Sequence, residues 1–207
     1  FFDHLRARPD PAFAEFSALP GRHYRRVMTS RTEAAYYLTL GQGSLTPPAA
    51  AVADYLRETR GIKVGVVDMV MFRPFPADLV SKILRGRKGV SVLERLDQPL
   101  AVDLPLMREI RATIGKCLEN GQNPDAKVYP TLETYSQLSD APALYSGSFG
   151  MGSRDLQPEG IVGAVENMLE DGKRKKMFYL SIDFLLDKAV TPKQEMYQQT
   201  IEESYPD

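Results

Sequence analysis

The sequence predicts an α/β domain, an open three-layer sandwich with a five-stranded, mostly parallel sheet. Three observations carry this. Short apolar runs alternate with segments of helical spacing. Each run ends in a turn rich in Gly, Pro or charge. Three of the helical segments begin with Pro, whose missing N–H costs nothing in a first turn. Five strands alternating with four helices imply β-α-β units.

The elements follow in order. Ala34–Leu40 is aromatic and β-favouring, and runs into Gly41–Ser44. Thr46 caps a helix with Pro47 at its first position. Ala49, Val52, Ala53 and Leu56 share one face, and Gly61 closes the unit. Lys63–Phe72 is apolar almost throughout, as in a strand buried on both faces, and Arg73–Pro76 is a rigid turn. A helix spans 77–85, with Leu79, Val80, Ile83 and Leu84 apolar. Val90–Leu93 is the third strand and Glu94–Pro99 its polar turn. A long helix runs over Leu104–Asn120, capped by Asp103 and ended by Gly121. Its buried stripe is Met107, Ile110, Ile114, Cys117 and Leu118. Residues 121–142 read as a long loop. Leu144 and Tyr145 end the fourth strand, after which Gly147, Gly150 and Gly152 let the backbone turn. Pro158 opens the fourth helix, with Ile161, Val165, Met168 and Leu169 apolar and Gly172 at its end. Met177–Phe184 is the fifth strand.

Residues 1–32 lack clear periodicity and read as an arm or inter-domain connector, with a solvated basic cluster at Arg22–Arg26. The core domain is 33–186, and 187–207 is a polar connector to a following domain. At 207 residues, with 43% hydrophobic and 26% charged, the chain buries a core without staples. A net charge of −1 and a pI near 6.2 argue against a nucleic-acid or anionic-membrane partner. No apolar run is long enough to span a bilayer. A lone cysteine, Cys117, excludes a disulfide framework and a cysteine-ligated cluster within this chain, and reads as buried packing. The start, Phe1-Phe2-Asp3-His4, is no signal peptide, and the missing Met suggests a fragment. A cytoplasmic setting is expected.

Parallel β-α-β units with right-handed crossovers gather the strand-to-helix turns at one sheet edge, where ligands of open α/β sheets bind. The candidate residues there are Gly41, Gly43, Ser44, Arg73, Arg95, Asp97, Gly150, Gly152, Ser153 and Arg154. Two readings stand. The glycine turns are tight packing corners, with Glu94, Arg95 and Asp97 in an arginine–carboxylate network that Arg73 and Arg154 face across the edge. Alternatively, the same N–H groups and arginines hold an anion or nucleotide. Gly41-Gln42-Gly43 begins like a dinucleotide fingerprint, but Thr46 replaces the third glycine. Arg73 stands at the second strand's end where an acid is wanted, and Asp68 lies too early. No Walker loop, nucleophile elbow or metal-ligand spacing occurs. His4 and His23 both fall in the arm. The residues alone give no catalytic or metal site.

Four segments, however, resemble the pyruvate:ferredoxin (flavodoxin) oxidoreductase family. Gly65-Val-Val-Asp-Met-Val-Met-Phe-Arg-Pro-Phe-Pro76 resembles its strand and Arg-Pro-Phe turn. Val92-Leu-Glu-Arg-Leu-Asp-Gln-Pro99, followed by Pro105-Leu-Met-Arg-Glu-Ile110, resembles its Leu-Asp-Arg-Thr-Lys-Glu-Pro segment and next helix. Gly147-Ser-Phe-Gly-Met-Gly-Ser-Arg-Asp-Leu-Gln-Pro158 resembles its Gly-Arg-Tyr-Gly-Leu-Gly-Ser-Lys segment, and Leu40–Ser44 its first strand and Met-Gly-Ser turn. All belong to core domain II of that family, similar in fold to the transketolase C-terminal domain. Gln42 is inserted, Asp97-Gln98 replaces Lys-Glu, and 121–142 is longer, which marks a divergent branch. The resemblance implies a parent enzyme that oxidatively decarboxylates pyruvate or a related 2-oxoacid with CoA and passes electrons to ferredoxin or flavodoxin. It implies thiamine diphosphate, Mg²⁺ and [4Fe-4S] clusters held by other domains or subunits, a dimeric parent, and a non-catalytic assembly role for this chain.

Overall fold

The computed structural model describes residues 8–19, 23–123 and 125–181. The expected connector 187–207, His4 and the end of the expected fifth strand lie outside these residues. A six-stranded sheet forms from β1 (Met28–Ser30), β2 (Tyr37–Gly41), β3 (Val64–Asp68), β4 (Gly89–Glu94), β5 (Ala143–Phe149) and β6 (Met177–Leu180). The spatial order is β1-β3-β2-β4-β5-β6. β1 runs antiparallel to β3, and every other pairing is parallel. The α/β class with a mostly parallel sheet is therefore observed, with one strand more than expected. β1 escapes a periodicity search because three residues are too few to show a period.

Among the described residues five helices accompany the sheet: α1 (Pro9–Ala18), α2 (Thr46–Arg60), α3 (Ala77–Leu84), α4 (Pro105–Gln122) and α5 (Pro158–Glu166). α1 lies in the segment read as an arm. Arg26, expected to be solvated, holds this helix: its guanidinium reaches Asp10 at 2.8 Å and Asp78 on α3 at 3.0 Å. The central strands β2 and β4 are buried along their whole length, as parallel strands covered on both faces must be. Leu38, Leu40, Val90, Val92, Met107, Ile110, Cys117 and Tyr135 build the core under α3 and α4. Tyr37, Leu56, Leu93, Tyr145, Ile161 and Val165 build the core under α2 and α5. Each such side chain contributes about 1.5–3 kcal/mol by leaving water.

Several boundaries differ from expectation. The second strand stops at Asp68, not Phe72. The chain then leaves the sheet with Met69 N–H donating to Gly41 O and Met71 N–H to Arg26 O, and Phe72 and Phe75 pack edge to face over the α3 core. Met69, Phe72 and Phe75, beyond Asp68, are thus core packing outside the ladder. The fourth strand runs on to Phe149, so Gly147 is a strand residue. It is glycine because a Cβ there would stand 2.5 Å from Leu93 Cδ2 and 2.7 Å from Phe178 Cε2. Thr46 is the first residue of α2 and bonds the Asp68 carboxyl through its side chain. Gly121 lies inside α4, which ends at Gln122, and α5 ends at Glu166, short of Gly172. Gly61 does close α2, at φ 67° with its own N–H on the Arg57 carbonyl and the Ile62 N–H on the Leu56 carbonyl.

The connections do not share one hand. The path β4–α4–β5 and the path β5–α5–β6 both step toward the β6 edge. Yet α4 packs on one face and α5 on the other, beside α2. Parallel connections stepping the same way with helices on opposite faces have opposite hands, so the uniformly right-handed expectation fails at the last unit. Leu93, Tyr145 and Phe149 all point to the α2 face, and α5 covers them there. Ser91 Oγ donates to Ala164 O at 3.1 Å across that contact.

Candidate functional site

The turns after β2, β3, β4 and β5 do lie together at the carboxyl edge of the parallel strands. Gly41 to Ser44 leads into a single 3-10 turn, Gly43–Leu45. Gln42 Nε2 donates to Met69 O at 3.3 Å and ties this turn to the next. Gly43 and Ser44 are exposed. Asp68 ends β3, so an acid, not Arg73, occupies the strand's end. Burial raises its pKa, opposed by the hydrogen bond with Thr46.

Arg73 does not face Glu94–Asp97. Its guanidinium lies over the Phe72 ring at 4.1 Å and donates to Glu109 Oε1 on α4 at 2.8 Å. Arg95 is brought to the last glycine turn. Gly150 takes φ +75°, and a Cβ there would stand 2.6 Å from Arg95 Cγ. The Arg95 Nη2 to Asp155 Oδ1 distance is 4.0 Å. Gly152 (φ +63°) lies in the 3-10 turn Met151–Ser153, and Arg154 follows with its N–H on Met151 O. Asp97 accepts from the Tyr179 hydroxyl at 3.4 Å, and Ser148 Oγ donates to Leu96 O at 2.6 Å. The sequence-derived candidates therefore divide into local braces: Arg73 with α4, Arg95 with the Gly150 turn, Asp97 with β6.

The group that organises this edge is Glu94, which sequence reading left as one acid of a polar turn. It is 5% exposed. Its Oε1 accepts from Leu106 N–H at 2.7 Å and its Oε2 from Met107 N–H at 3.1 Å. A strand-end carboxylate thus caps α4, where unpaired N–H groups and the positive end of the helix dipole meet it. Asp103, expected in that role, instead accepts from Arg111 Nε at 2.7 Å. Burial raises the Glu94 pKa; the two N–H bonds and Arg108 oppose the rise, and Asp103 adds to it. The available signal was an acid closing an apolar strand just before a Pro-initiated helix, but only contact across the turn reveals the partner.

Among the described residues no group of three or more His, Cys, Asp or Glu side chains is placed to hold a metal. Cys117 is buried, and burial pushes its thiol up to about 11. One such thiol does not supply the thiolates of a [4Fe-4S] cluster. No helix among the described residues is long and apolar enough to cross a membrane.

The fold, with an antiparallel first strand on a parallel sheet and braced turns at its carboxyl edge, is that of a transketolase C-terminal-like α/β domain. Residues 35–128 match the family model described as pyruvate:ferredoxin oxidoreductase core domain II. Pyruvate synthase subunit PorA of Thermotoga maritima is 31% identical over 165 residues, 77% of this chain and 36% of that subunit. PorA of Pyrococcus furiosus is 34% identical over 167 residues, covering 79% and 36%. The probable pyruvate-flavodoxin oxidoreductase of Escherichia coli is 29% identical over 182 residues, 87% of this chain and 14% of that protein. The chain belongs to the pyruvate:ferredoxin oxidoreductase family, as a domain. It spans about a third of the PorA subunits and about a seventh of the flavodoxin enzyme.

Proposed function

We propose that this chain is a non-catalytic core domain of a 2-oxoacid:ferredoxin or flavodoxin oxidoreductase, serving inter-domain and subunit assembly. The parent would decarboxylate pyruvate or a related 2-oxoacid oxidatively with CoA. Residues 33–186 would form the domain, with 1–32 and 187–207 as its connectors, in a dimeric, cytoplasmic enzyme. The observation that carries the reading is the bracing of the carboxyl edge. Glu94, Arg73 and Asp97, the groups best placed to act on a ligand there, are engaged with α4 and β6. The names of the relatives support the parent's chemistry.

The described residues do not fit the implied cofactors. Its described acids form no cluster of three for the Mg²⁺ of thiamine diphosphate, and its one cysteine cannot anchor a [4Fe-4S] cluster. Those groups belong to other domains in this reading, and no reaction step is assigned here. The test is a CoA-dependent pyruvate oxidation assay with thiamine diphosphate, Mg²⁺ and a low-potential acceptor, run on this chain and on the full-length protein. Turnover in the full-length protein alone is expected. Turnover by this chain alone would overturn the non-catalytic role, and turnover in neither would overturn the parent's assignment.

A further inference from the structure

We propose that the amino edge of the parallel sheet, where Tyr36 stands between Lys63 and Lys88 and the loop Lys173–Lys176 adjoins them, receives an acidic segment from another domain or subunit of the full-length protein. The inference rests on the reading of this chain as a core domain within a larger oxidoreductase.

The edge opposite the glycine turns is built by the residues that enter the strands. Lys63, Tyr36 and Lys88 immediately precede β3, β2 and β4, which lie side by side. Their backbones are joined: Tyr36 N–H donates to Lys63 O and Lys88 N–H to Tyr36 O, each at 2.8 Å. The Tyr36 ring is half exposed, and the ammonium groups of Lys63 and Lys88 lie 5.3 and 5.5 Å from its centroid. The electron-rich face of the ring holds both cations beside it. Lys88 also pairs with Glu170 at 2.9 Å, which ties this group to the loop after α5.

That loop carries Lys173, Arg174, Lys175 and Lys176 in a row, all exposed. Four like charges in sequence repel one another, yet the backbone beneath them is held. Asn167 Oδ1 accepts from Lys175 N–H and Asn167 Nδ2 donates to Lys175 O, both at 2.9 Å. Asn167 O accepts from Arg174 N–H at 3.0 Å. Arg174 takes φ +53°, a conformation that glycine adopts at less cost. A long cationic side chain on a strained, clamped backbone presents its charge in a fixed place, and such strain marks a surface with a use.

The charge is not balanced locally. Glu170 is engaged by Lys88, and Asp171 is the other carboxylate of the loop. Lys176 lies over the Tyr145 ring at 4.3 Å. Lys63, Lys173, Arg174 and Lys175 make no ion pair among the described residues. The remaining acids of this edge are matched elsewhere. Glu166 pairs with Arg60, Glu133 with Arg85, and Asp54 with Arg31, on which Glu33 and Glu58 also act. The Asp140 carboxylate accepts from Ser136 and Gln137 N–H. Six bases thus face two acids, in a chain whose net charge is −1. Carboxylates are the complement of such a patch, while the net charge disfavours nucleic acid. Interfaces between domains of one protein are more polar than obligate ones, and Tyr36 gives this surface an amphipathic centre. The relatives, of which this chain matches 36% or 14%, extend well beyond it and so have further segments to supply the acids.

The test is carbodiimide crosslinking of the full-length protein with its partner subunits, read by peptide mass spectrometry. The reagent joins a lysine amine to a carboxylate in direct contact and adds no spacer. The expected result is amide links from Lys63 or Lys88, and from Lys173 or Lys175, to one acidic segment outside residues 1–207. In the Lys173→Glu/Lys175→Glu variant the links from Lys63 and Lys88 to that segment should fall about tenfold. The Lys173→Gln/Lys175→Gln variant removes the charge without reversing it; it should show a smaller fall, and it stands in if the Glu variant does not assemble. Links confined to carboxylates within residues 1–207, no links at all, or links undiminished in both variants would each overturn the proposal. Pyruvate turnover measured on the untreated protein reports separately on the functional reading, because a protein without turnover still yields a crosslink map.

Discussion

Replacing Glu94 with Ala removes the acceptor for two backbone N–H groups at the start of α4. The side chain is 5% exposed, so water cannot readily take its place. An unsatisfied buried donor costs about 1–3 kcal/mol, and loss of a helix cap costs about 1 kcal/mol. Partial entry of water at the second N–H, bonded at the longer 3.1 Å, brings the total to about 3 kcal/mol. Glu94→Gln keeps one carbonyl acceptor and should cost about half as much. Urea denaturation of the full chain at neutral pH, read by circular dichroism, measures both. A cost below about 1 kcal/mol for Glu94→Ala would show that the carboxylate does not cap the helix. A pH series adds a sign. Burial raises the Glu94 pKa in the folded state, so the folded protein holds this proton more tightly than the unfolded one. The group's contribution is therefore full below the unfolded carboxyl pKa and declines as pH rises through the folded value. The stability gap between wild type and Glu94→Gln should accordingly narrow as pH climbs through that window.

Gly150→Val should destabilise the fold by about 3 kcal/mol, because φ +75° is strained for a branched residue and the new Cβ meets the Arg95 side chain; thermal unfolding checks it, and a neutral outcome would mean the turn relaxes. Asn120→Ala should cost about 3 kcal/mol, since its fully buried amide bonds Tyr129 N and O and Glu133 O; a denaturant midpoint equal to wild type would refute this. The Cys117 thiol, pushed up to about 11, should be thiolate on the order of a thousandth of the time at pH 8. Maleimide labelling of the native protein should then be negligible and should follow unfolding, and rapid labelling would contradict the burial.

The sheet was legible because each parallel strand is short, apolar and closed by its own turn. The apolar runs Lys63–Phe72 and Val90–Leu93 needed no partner to be recognised as strands, although the ladder keeps only Val64–Asp68 of the first. The buried stripe of α4 was legible for the same reason: Met107, Ile110, Ile114 and Cys117 repeat at helical spacing and are all buried. What resisted reading depends on contacts between distant residues. Glu94 and Leu106 are separated by twelve positions, and nothing local says which acid caps the helix. The hand of the last connection is a property of which face α5 covers, and its apolar pattern is the same for either face. Arg73 and Arg95 were singled out as edge residues, but their partners, Glu109 and the Gly150 turn, lie on other elements.

Among its described residues the connection from α4 to β5 contains one short 3-10 turn, Leu138–Asp140, and would ordinarily be chosen for a tag or an insertion. It is a poor choice. Leu132 and Tyr135 from this stretch are buried, the Tyr135 hydroxyl donates to Ser81 O at 2.7 Å, and its N–H donates to Cys117 O at 2.9 Å. Its peptide groups should exchange with deuterium as slowly as those of a neighbouring helix, and a protease should find no cut site between Tyr129 and Tyr135.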